Sequence, residues 1–337
     1  MKQAVIGGKE GAGVVEVKDP QIADNYAKVK VISAPLCCEF KGRASENRAG
    51  LGHEAAGEVV EIGPNVRSVA VGDRVVVMPQ NSCGICALCT SGEHIYCQSG
   101  RNALGICGSE TGLYRVAQYT IQQDWLLVKI PDGMAYDHAV MACCGFGPAF
   151  NAMQSMEVTA GETVLVSGLG PVGLGAVTIA LYRGARVLGL DTNAYRRNLA
   201  KQLGAEQVFN PADEDVKQQV LAATEGIGPH KSVDSSGAKS AAEFLVGMAR
   251  RRGRVAFIAG GDTINVGSMV WKGLRLYGCW HWNHLNDTER MMHTIAGSGK
   301  RIEQMITHRF PMDRIAEAIE VQAGGQCGKV IIQPWQG

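Results

Sequence analysis

The sequence predicts an α/β protein in which a doubly wound parallel sheet accompanies a small β-barrel. The first 130 residues read as short strands separated by turns, whereas from about Thr163 apolar strand-like runs alternate with stretches of helical period. A glycine-rich turn at 168–173 directly follows the first of these later strands. Because strand–helix alternation builds βαβ units, we expect the second half to form a parallel sheet.

The elements follow from two different patterns. Alternating polar and apolar residues rich in Val and Ile suit half-buried barrel strands, and the candidates are KQAVIG, GVVEVK, AKVKVISA, EAAGEVVEIG, DRVVVM, YRVAQYTI and LLVKI. More continuous apolar runs suit a sheet covered on both faces, and the candidates are TVLVSG, ARVLGLD, QVFN, KSVDSSG, RVAFIAG and LRLYG. Stretches of helical period, such as 193–203 and 238–252, lie between most of the latter.

After about His284 the pattern changes again, to helical stretches at 288–296 and 314–322 and a last strand, KVIIQP. A last strand that returns to the barrel makes the barrel domain discontinuous. We therefore predict a barrel domain over residues 1–148 and 286–337, and a parallel-sheet domain over residues 149–285.

Composition excludes several classes of protein. The 337 residues are 46% apolar and 19% charged, which is typical of a globular chain with a large core. A net charge of +1 gives no electrostatic case for binding nucleic acid or an anionic membrane. The beginning, MKQAVIGGKEGAG, lacks the apolar run of a secretory signal, and no apolar stretch is long enough to span a bilayer. With eleven cysteines and no export signal, we expect a cytoplasmic protein whose thiols serve metals and cores.

The most specific motif is a group of four cysteines with the spacing C-x2-C-x2-C-x7-C, formed by Cys83, Cys86, Cys89 and Cys97. Four thiolates this close in sequence can bind one tetrahedral zinc ion, and a four-sulfur shell leaves no position for substrate. The alternatives are two disulfides or scattered core cysteines. Three cysteines at three-residue steps are poorly placed to pair with one another, which favours a structural zinc.

The glycine-rich turn has the context of a dinucleotide site. It reads Gly168-Leu169-Gly170-Pro171-Val172-Gly173 between an apolar strand and a helix, where backbone N–H groups can bind a pyrophosphate. Asp191 ends the second strand, where its carboxylate can bind the ribose hydroxyls and repel a 2′-phosphate, so NAD is favoured over NADP. Arg196 and Arg197 lie just beyond and either soften that preference or form a solvated helix face.

Hydride transfer to a nicotinamide requires a group that assists loss of the proton from the substrate oxygen. A zinc ion with three protein ligands and an open position supports such chemistry. His53, followed by Glu54, opens one barrel strand, Cys37 and Cys38 precede it, and Cys144 comes just before the nucleotide domain. One thiolate from each cysteine pair with His53 would make such a site, although buried Cys and single His residues are more often structural.

Together these motifs resemble the zinc-containing medium-chain dehydrogenases, which include alcohol, sorbitol and threonine dehydrogenases. The resemblance covers essentially the whole chain, including GHEAAGEVVEIGPNV, VGDRVVV, the cysteine motif, GLGPVG, LAKQLGA and GKVIIQP. It implies a GroES-like barrel beside a Rossmann domain and an NAD-dependent alcohol–ketone reaction. It also implies a catalytic zinc on Cys37, His53 and Cys144 with Glu54 close by, and a structural zinc on the four-cysteine group.

Two departures from the family pattern concern the catalytic zinc. The family usually reads Cys-x-Ser/Thr-Asp, and its hydroxyl passes on the alcohol proton, whereas this chain reads Cys37-Cys38-Glu39-Phe40. We hypothesise that Glu39, or water held by it, takes the proton directly. The segment between Cys37 and His53 is also several residues shorter than the family norm, which leaves Cys38 as an alternative ligand.

The segment 277–284, YGCWHWNH, follows the last predicted strand of the parallel sheet. Trp280 and Trp282, with Phe40, are candidate walls of a substrate pocket; the alternative is that they pack in a core or an interface. We expect a secondary alcohol on a polyol, sugar, cyclitol or amino alcohol as substrate. Alternatives are a primary alcohol dehydrogenase or aldehyde reductase, and a catalytically silent nucleotide-binding relative. The resemblance also implies a homo-oligomer, a dimer or tetramer.

Overall fold

The computed structural model describes residues 1–260 and 263–336. Within this part of the chain the strands are, in order, β1 Lys2–Ile6, β2 Gly13–Glu16, β3 Tyr26–Leu36, β4 Ala49–Gly50, β5 Ala55–Ile62, β6 Arg74–Val77, β7 Tyr119–Gln123, β8 Leu127–Lys129, β9 Thr163–Ser167, β10 Arg186–Leu190, β11 Gln207–Phe209, β12 Lys231–Asp234, β13 Arg254–Phe257, β14 Arg275–Gly278, β15 Ile306–Pro311 and β16 Lys329–Gln333.

The α-helices of the same residues are, in order, α1 Ala87–Thr90, α2 Ala103–Cys107, α3 Tyr136–Ala139, α4 Gly147–Ser155, α5 Pro171–Tyr182, α6 Ala194–Leu203, α7 Val216–Ala222, α8 Ala241–Met248, α9 Val266–Lys272, α10 Thr288–Gly297, α11 Gly299–Met305 and α12 Ile315–Gly324. Short 3-10 helices occupy Glu39–Ala44, His94–Tyr96, Asp124–Leu126, Val140–Ala142 and Met312–Arg314.

The chain divides into two compact units. The first comprises Met1–Cys144, Asn283–Ala296 and Ile306–Gly337, and the second comprises Gly145–Trp282 and Gly297–Met305. The second unit includes α11, which packs on α5 and α6; Arg301 Nε of α11 donates a hydrogen bond to the Leu203 carbonyl of α6 at 3.0 Å. The sequence-based division placed residues 299–305 in the barrel domain, because it assigned the whole chain after residue 285 to that domain.

The first unit is built from mainly antiparallel sheets, in which β15 and β16 pair in parallel. The larger sheet runs β15-β16-β3-β5-β6-β8, with β7 also paired to β3, and a smaller sheet runs β2-β1-β4. The long strand β3 alternates buried and half-buried residues, as a barrel strand with one face on the core does. The last strand, β16, pairs antiparallel with β3 through Val330 and Leu36, so the C-terminal strand returns to the first half.

The second unit contains one parallel sheet with the strand order β11-β10-β9-β12-β13-β14. Numbered within the unit this order is 3-2-1-4-5-6, the doubly wound arrangement that binds dinucleotides where the order reverses, beside β9. All five residues of β9 are buried, as expected for a central strand covered on both faces. The predicted α/β fold class and its six parallel strands are confirmed.

No helix of the described residues is long and apolar enough to cross a membrane.

Candidate active site and metal centres

The four-cysteine group forms a compact loop around the short helix α1. Sulfur–sulfur distances are 3.8 Å between Cys83 and Cys89, 3.5 Å between Cys86 and Cys89, and 4.0 Å between Cys86 and Cys97. A tetrahedral ion with Zn–S bonds of about 2.3 Å places its sulfur atoms about 3.8 Å apart. The observed edges therefore fit one zinc ion, and the four cysteines are free rather than paired in disulfides.

Backbone N–H groups prepare this loop for thiolates. Cys86 N donates to Cys83 Sγ at 3.3 Å, and Cys97 Sγ accepts from Cys83 N at 3.3 Å and from Ser99 N at 3.4 Å. Donation from Ile85 and Cys86 lowers the pKa of Cys83 to about 6, whereas burial raises the pKa of Cys89 to about 12. The loop thus presents at least one sulfur that is readily ionised, as a metal ligand requires.

A second cluster joins residues from distant parts of the first unit. The ligand atoms of Cys37, His53, Glu54 and Cys144 all lie within 4.8 Å of one another. His53 Nε2 lies 3.2 Å from Cys144 Sγ and 3.9 Å from Glu54 Oε1. This set of two thiols, one imidazole and one carboxylate matches the ligands that zinc takes in catalytic sites. Cys37 belongs to the cluster, while its neighbour Cys38 is exposed and does not.

Glu54 is held by a buried ion pair that the sequence analysis did not identify. Lys329 Nζ lies 2.8 Å from Glu54 Oε1, and both side chains are 0% exposed. The other carboxylate oxygen, Oε2, accepts a hydrogen bond from Cys144 N at 3.1 Å. Burial alone would lower the pKa of Lys329, but Glu54 and the neighbouring thiols outweigh it and raise the pKa. Glu54 is therefore fixed at the cluster by two donors from separate segments.

Glu39 contacts the opposite side of His53. Its Oε1 lies 3.2 Å from His53 Nδ1, and its Oε2 accepts a hydrogen bond from Cys37 N. Burial alone would raise the pKa of Glu39, but His53 and the Cys37 N–H outweigh it and hold the pKa below its ordinary value. A carboxylate on the second nitrogen of a metal-binding histidine fixes the tautomer and orientation of the ring.

The groups around His53 favour a positive charge there. Burial lowers the pKa of His53, but Cys37 and the carboxylates of Glu39 and Glu54 outweigh it and raise the pKa to about 11. Contact with Cys144 raises the pKa of Cys37 to about 11. A cluster whose own groups stabilise positive charge at its centre suits a divalent cation.

The second unit holds a cavity of about 510 Å³ at the carboxyl ends of its strands. Of the predicted cofactor residues, Gly168, Gly170, Asp191 and Arg196 line it. Pro171 and Val172 begin helix α5, whose first turn follows Gly170 directly. A cavity at the start of this helix, beside the point where the strand order reverses, is where the fold binds a dinucleotide.

Two glycines of the turn are required by space. A Cβ on Gly173 would lie 1.7 Å from the Gly168 carbonyl oxygen. Gly168 has a φ of +80°, and a Cβ there would lie 2.7 Å from the Ser236 backbone. Any side chain at either position would force the turn away from its neighbours, so the close approach depends on glycine.

Asp191 holds the turn with both carboxylate oxygens. Oδ2 accepts from Leu169 N at 2.7 Å, and Oδ1 accepts from Asn193 N at 2.7 Å. Arg196 lies on the wall of the same cavity, whereas Arg197 is directed to the Asp191 and Thr192 carbonyls, 2.7 and 2.9 Å away. Arg197 thus binds the local backbone, whereas Arg196 lines the cavity.

The aromatic candidates for the substrate pocket lie in different surroundings. Trp282 is 2% exposed and packs edge-on against Phe150, with ring centroids 6.5 Å apart. It is therefore a core residue of the second unit, which was the alternative interpretation. Phe40 packs at the margin of the core of the first unit. Trp280 is 58% exposed and remains a predicted pocket wall.

A polar cavity of about 300 Å³ adjoins His53 within the first unit. Sequence reasoning did not identify its lining side chains, among them Arg101, Arg115, Gln80 and Gln122. Lys329 and Arg101 escaped notice because their partners, Glu54 and Asp24, are far away in sequence. The lysine inside the apolar strand KVIIQP was the one local signal.

Comparisons with known proteins identify the family. A model described as "Alcohol dehydrogenase GroES-like domain" matches residues 39–132, and one described as "Zinc-binding dehydrogenase" matches residues 171–297. The L-threonine 3-dehydrogenase of Pyrococcus furiosus is 32% identical over 95% of this chain and 94% of its own length. This chain belongs to the zinc-containing medium-chain dehydrogenases. The predicted resemblance is confirmed, and the chain is a zinc- and NAD-dependent alcohol dehydrogenase by family.

Other relatives cover the chain equally well. The L-threonine 3-dehydrogenase of Photorhabdus laumondii is 30% identical over 96% of both chains. The crystal structure of an alcohol dehydrogenase, rspB from E. coli CFT073, complexed with the cofactor NADH, has a TM-score of 0.84. It is 26% identical to this chain and covers 99% of both chains. Family members with this fold thus bind the nicotinamide cofactor, and a small-molecule alcohol is the substrate.

Proposed function

We propose that this dehydrogenase transfers a hydride between NAD and a secondary alcohol or its ketone, using a zinc ion held by Cys37, His53 and Cys144. The observation that carries the proposal is the cluster itself, in which the ligand atoms of these three residues lie close to one another and to the Glu54 carboxylate. The Glu39 carboxylate contacts His53 and orients its ring. A zinc ion at this position supplies a Lewis acid that stabilises negative charge on the substrate oxygen.

The residues of the chain have separate tasks in this proposal. Glu39 positions His53, because its two oxygens contact the His53 ring and the Cys37 backbone. Glu54 stays beside the ligands as a fourth potential donor, held by Lys329 and by the Cys144 N–H. The direct proton-accepting role of Glu39 remains a prediction, since the geometry supports the positioning role.

The cavity of the second unit is the proposed binding site for NAD. We place the pyrophosphate at Gly168, Gly170 and the first turn of α5, and the adenosine ribose at Asp191 with Arg196 on the same wall. A carboxylate at the end of the second strand favours NAD over NADP, because it repels a 2′-phosphate.

The four-cysteine loop has a different task. We assign it a structural zinc on Cys83, Cys86, Cys89 and Cys97, because its sulfur tetrahedron is complete and leaves no open position. Its loss should affect folding rather than the hydride transfer step itself.

The substrate class remains a polyol, sugar, cyclitol or amino alcohol. Support comes from relatives at 30% identity or more, which are named L-threonine 3-dehydrogenases and so act on an amino alcohol. A homo-oligomer and a cytoplasmic location remain predictions of the sequence.

The proposal is tested by counting zinc and following NADH formation with a panel of secondary and primary alcohols. We expect two zinc ions per chain, and loss of one of them together with activity in Cys144→Ser. Cys38→Ser is the matched control, because Cys38 lies beside the cluster but outside it. Retained activity and zinc in Cys144→Ser would overturn the ligand assignment, and faster turnover of primary alcohols would favour the primary alcohol dehydrogenase.

A further inference from the structure

The cavity beside His53 has an unusual distribution of charge. Two arginines line it, Arg101 and Arg115, and no Asp or Glu is among its lining residues in the described part of the chain. His53 is itself one of the lining residues, so the cavity borders one residue of the proposed zinc cluster. With a volume of about 300 Å³ it is at the small end of ligand sites and suits a compact molecule.

The two arginines differ in how their charges are balanced. Arg101 donates to Asp24 Oδ2 and to Asn25 Oδ1, both at 2.6 Å, and so already has a carboxylate partner. Arg115 is only 7% exposed and forms no ion pair with the residues the structure describes. Burial lowers the pKa of Arg115 to about 10, so its guanidinium is still charged at neutral pH.

The hydrogen bonds of Arg115 leave part of its guanidinium available. Nη1 donates to the Gly112 carbonyl at 3.3 Å, to the Ile121 carbonyl at 3.1 Å and to the Thr120 hydroxyl. Nε and Nη2 make no hydrogen bond with the described residues. A buried cation without a counter-charge is costly, and the cost is offset when an anion binds to it.

Arg115 lies close to His53 along the wall of the cavity. Its backbone N–H donates to the Gly52 carbonyl at 3.1 Å, directly before His53. Two further lining side chains, Tyr26 and Gln80, carry buried oxygen atoms without a hydrogen-bond partner in the described residues. Buried polar atoms of this kind usually have a water or a ligand as partner.

We propose that the substrate is a secondary alcohol that also carries an oxyanion, a carboxylate or a phosphate, and that Arg115 binds this group through Nε and Nη2. This inference rests on the proposed function and narrows it, from polyols and amino alcohols in general to their acidic derivatives. Arginine is suited to the task, because its planar guanidinium matches two oxygens of a carboxylate or phosphate at once.

The test compares matched pairs of alcohols that differ in one charged group. D-gluconate against D-sorbitol probes a carboxylate, and galactitol 1-phosphate against galactitol probes a phosphate. For each pair we would measure kcat/KM with saturating NAD, and the dissociation constant by calorimetry on the zinc-loaded enzyme. We expect the wild type to favour one anionic member by roughly 10- to 100-fold, as a charge-assisted hydrogen bond allows.

Arg115→Gln should remove most of that preference, measured as the ratio of kcat/KM for the anionic member to kcat/KM for the neutral member. Thermal unfolding followed by circular dichroism shows whether the variant folds. Arg115→Lys should keep part of the preference. Arg67→Gln is the matched control, because Arg67 also donates from Nη1 to two carbonyls, at 3.0 and 2.8 Å, but is exposed and does not line this cavity.

The outcomes separate this inference from the proposed function. If no alcohol is oxidised but an anionic compound binds more tightly than its neutral partner through Arg115, the proposed function fails and the anion site stands. If alcohols are oxidised and neither anionic member is preferred in kinetics or in binding, the anion site is refuted. A rise in the KM for NAD in Arg115→Gln, equal for charged and neutral alcohols, would also refute it by assigning Arg115 to the cofactor.

Discussion

The buried pair between Lys329 and Glu54 leads to the most quantitative prediction. Lys329→Met removes the cation and keeps a side chain of similar length, so Glu54 is left as a buried carboxylate with one remaining donor, the Cys144 N–H. At a separation of 2.8 Å the attraction between the two charges is roughly 6 kcal/mol for an effective dielectric constant of about 20. Desolvation offsets much of this attraction, but deleting one partner leaves the other charge uncompensated.

We therefore expect Lys329→Met to lower the free energy of unfolding by about 3–5 kcal/mol. The remaining Cys144 N–H bond favours the lower end of that range. Lys2→Met is the matched control: Lys2 pairs with Asp313 at 3.1 Å, but the two side chains are 41% and 46% exposed. Deleting such a surface pair should cost only about 0.2–1 kcal/mol.

The assay is urea-induced unfolding of both variants, with zinc content measured in parallel so that loss of metal is recognised. Adding Glu54→Gln to Lys329→Met should recover part of the lost stability, because the buried charge then disappears together with its partner. A loss below about 1 kcal/mol in Lys329→Met, or no recovery in the double variant, would refute the reasoning that the pair is fully desolvated.

Three further predictions concern the metal and nucleotide sites. Cys89→Ser should lose one zinc ion and lower the unfolding temperature by a few degrees, with a smaller effect on hydride transfer. Calorimetry and zinc analysis would measure both changes. Unchanged stability with abolished activity would mean that the two clusters have reversed roles. Glu39→Gln should weaken zinc binding at the His53 cluster by about 10- to 100-fold, measured by competition with a chelator. Glu46→Gln is the control, because Glu46 is exposed. Wild-type zinc affinity with an altered pH profile of turnover would instead support the proton-accepting role of Glu39. Gly173→Ala places a methyl group 1.7 Å from the Gly168 carbonyl oxygen, and relieving this overlap costs about 1–3 kcal/mol. If the strain falls on the turn, the affinity for NAD should fall by about 5- to 150-fold, as a binding titration would measure. Gly247→Ala is its control, since a Cβ there meets nothing within 4 Å, and equal NAD affinity in both variants would contradict the packing argument.

The parallel sheet could be predicted from sequence because its signals are local. Each of its six strands lies in a short segment bounded by turn residues, and the central strand β9 is a continuous buried run. The glycine turn after β9 has a steric cause that holds wherever the motif occurs. Helix α6 begins after Asn193, whose side chain caps it by accepting from Tyr195 N and Arg196 N, and the predicted helical stretch 193–203 starts at this residue.

The ligand set could be narrowed from sequence but not chosen. Cys37 and Cys38 are adjacent and chemically identical, and only the path of the chain after β3 decides that Cys37 reaches His53 while Cys38 is exposed. Helix α11 illustrates the same limit for domains, because only its contacts with α5 and α6 show that it belongs to the second unit. Such decisions depend on contacts between residues that are distant in sequence.

The comparison of two buried cations shows what the structure adds to function. Lys329 and Arg115 both lie in the first unit, 0% and 7% exposed, and neither is predicted to be buried from composition alone. Lys329 meets a carboxylate of its own chain, so its burial is explained within the protein. Among the described residues, Arg115 meets only carbonyls and a hydroxyl, so part of its charge has no counter-ion there, in a cavity that reaches His53. Since an unbalanced buried charge is retained only when something offsets its cost, the missing anion is best sought in the substrate.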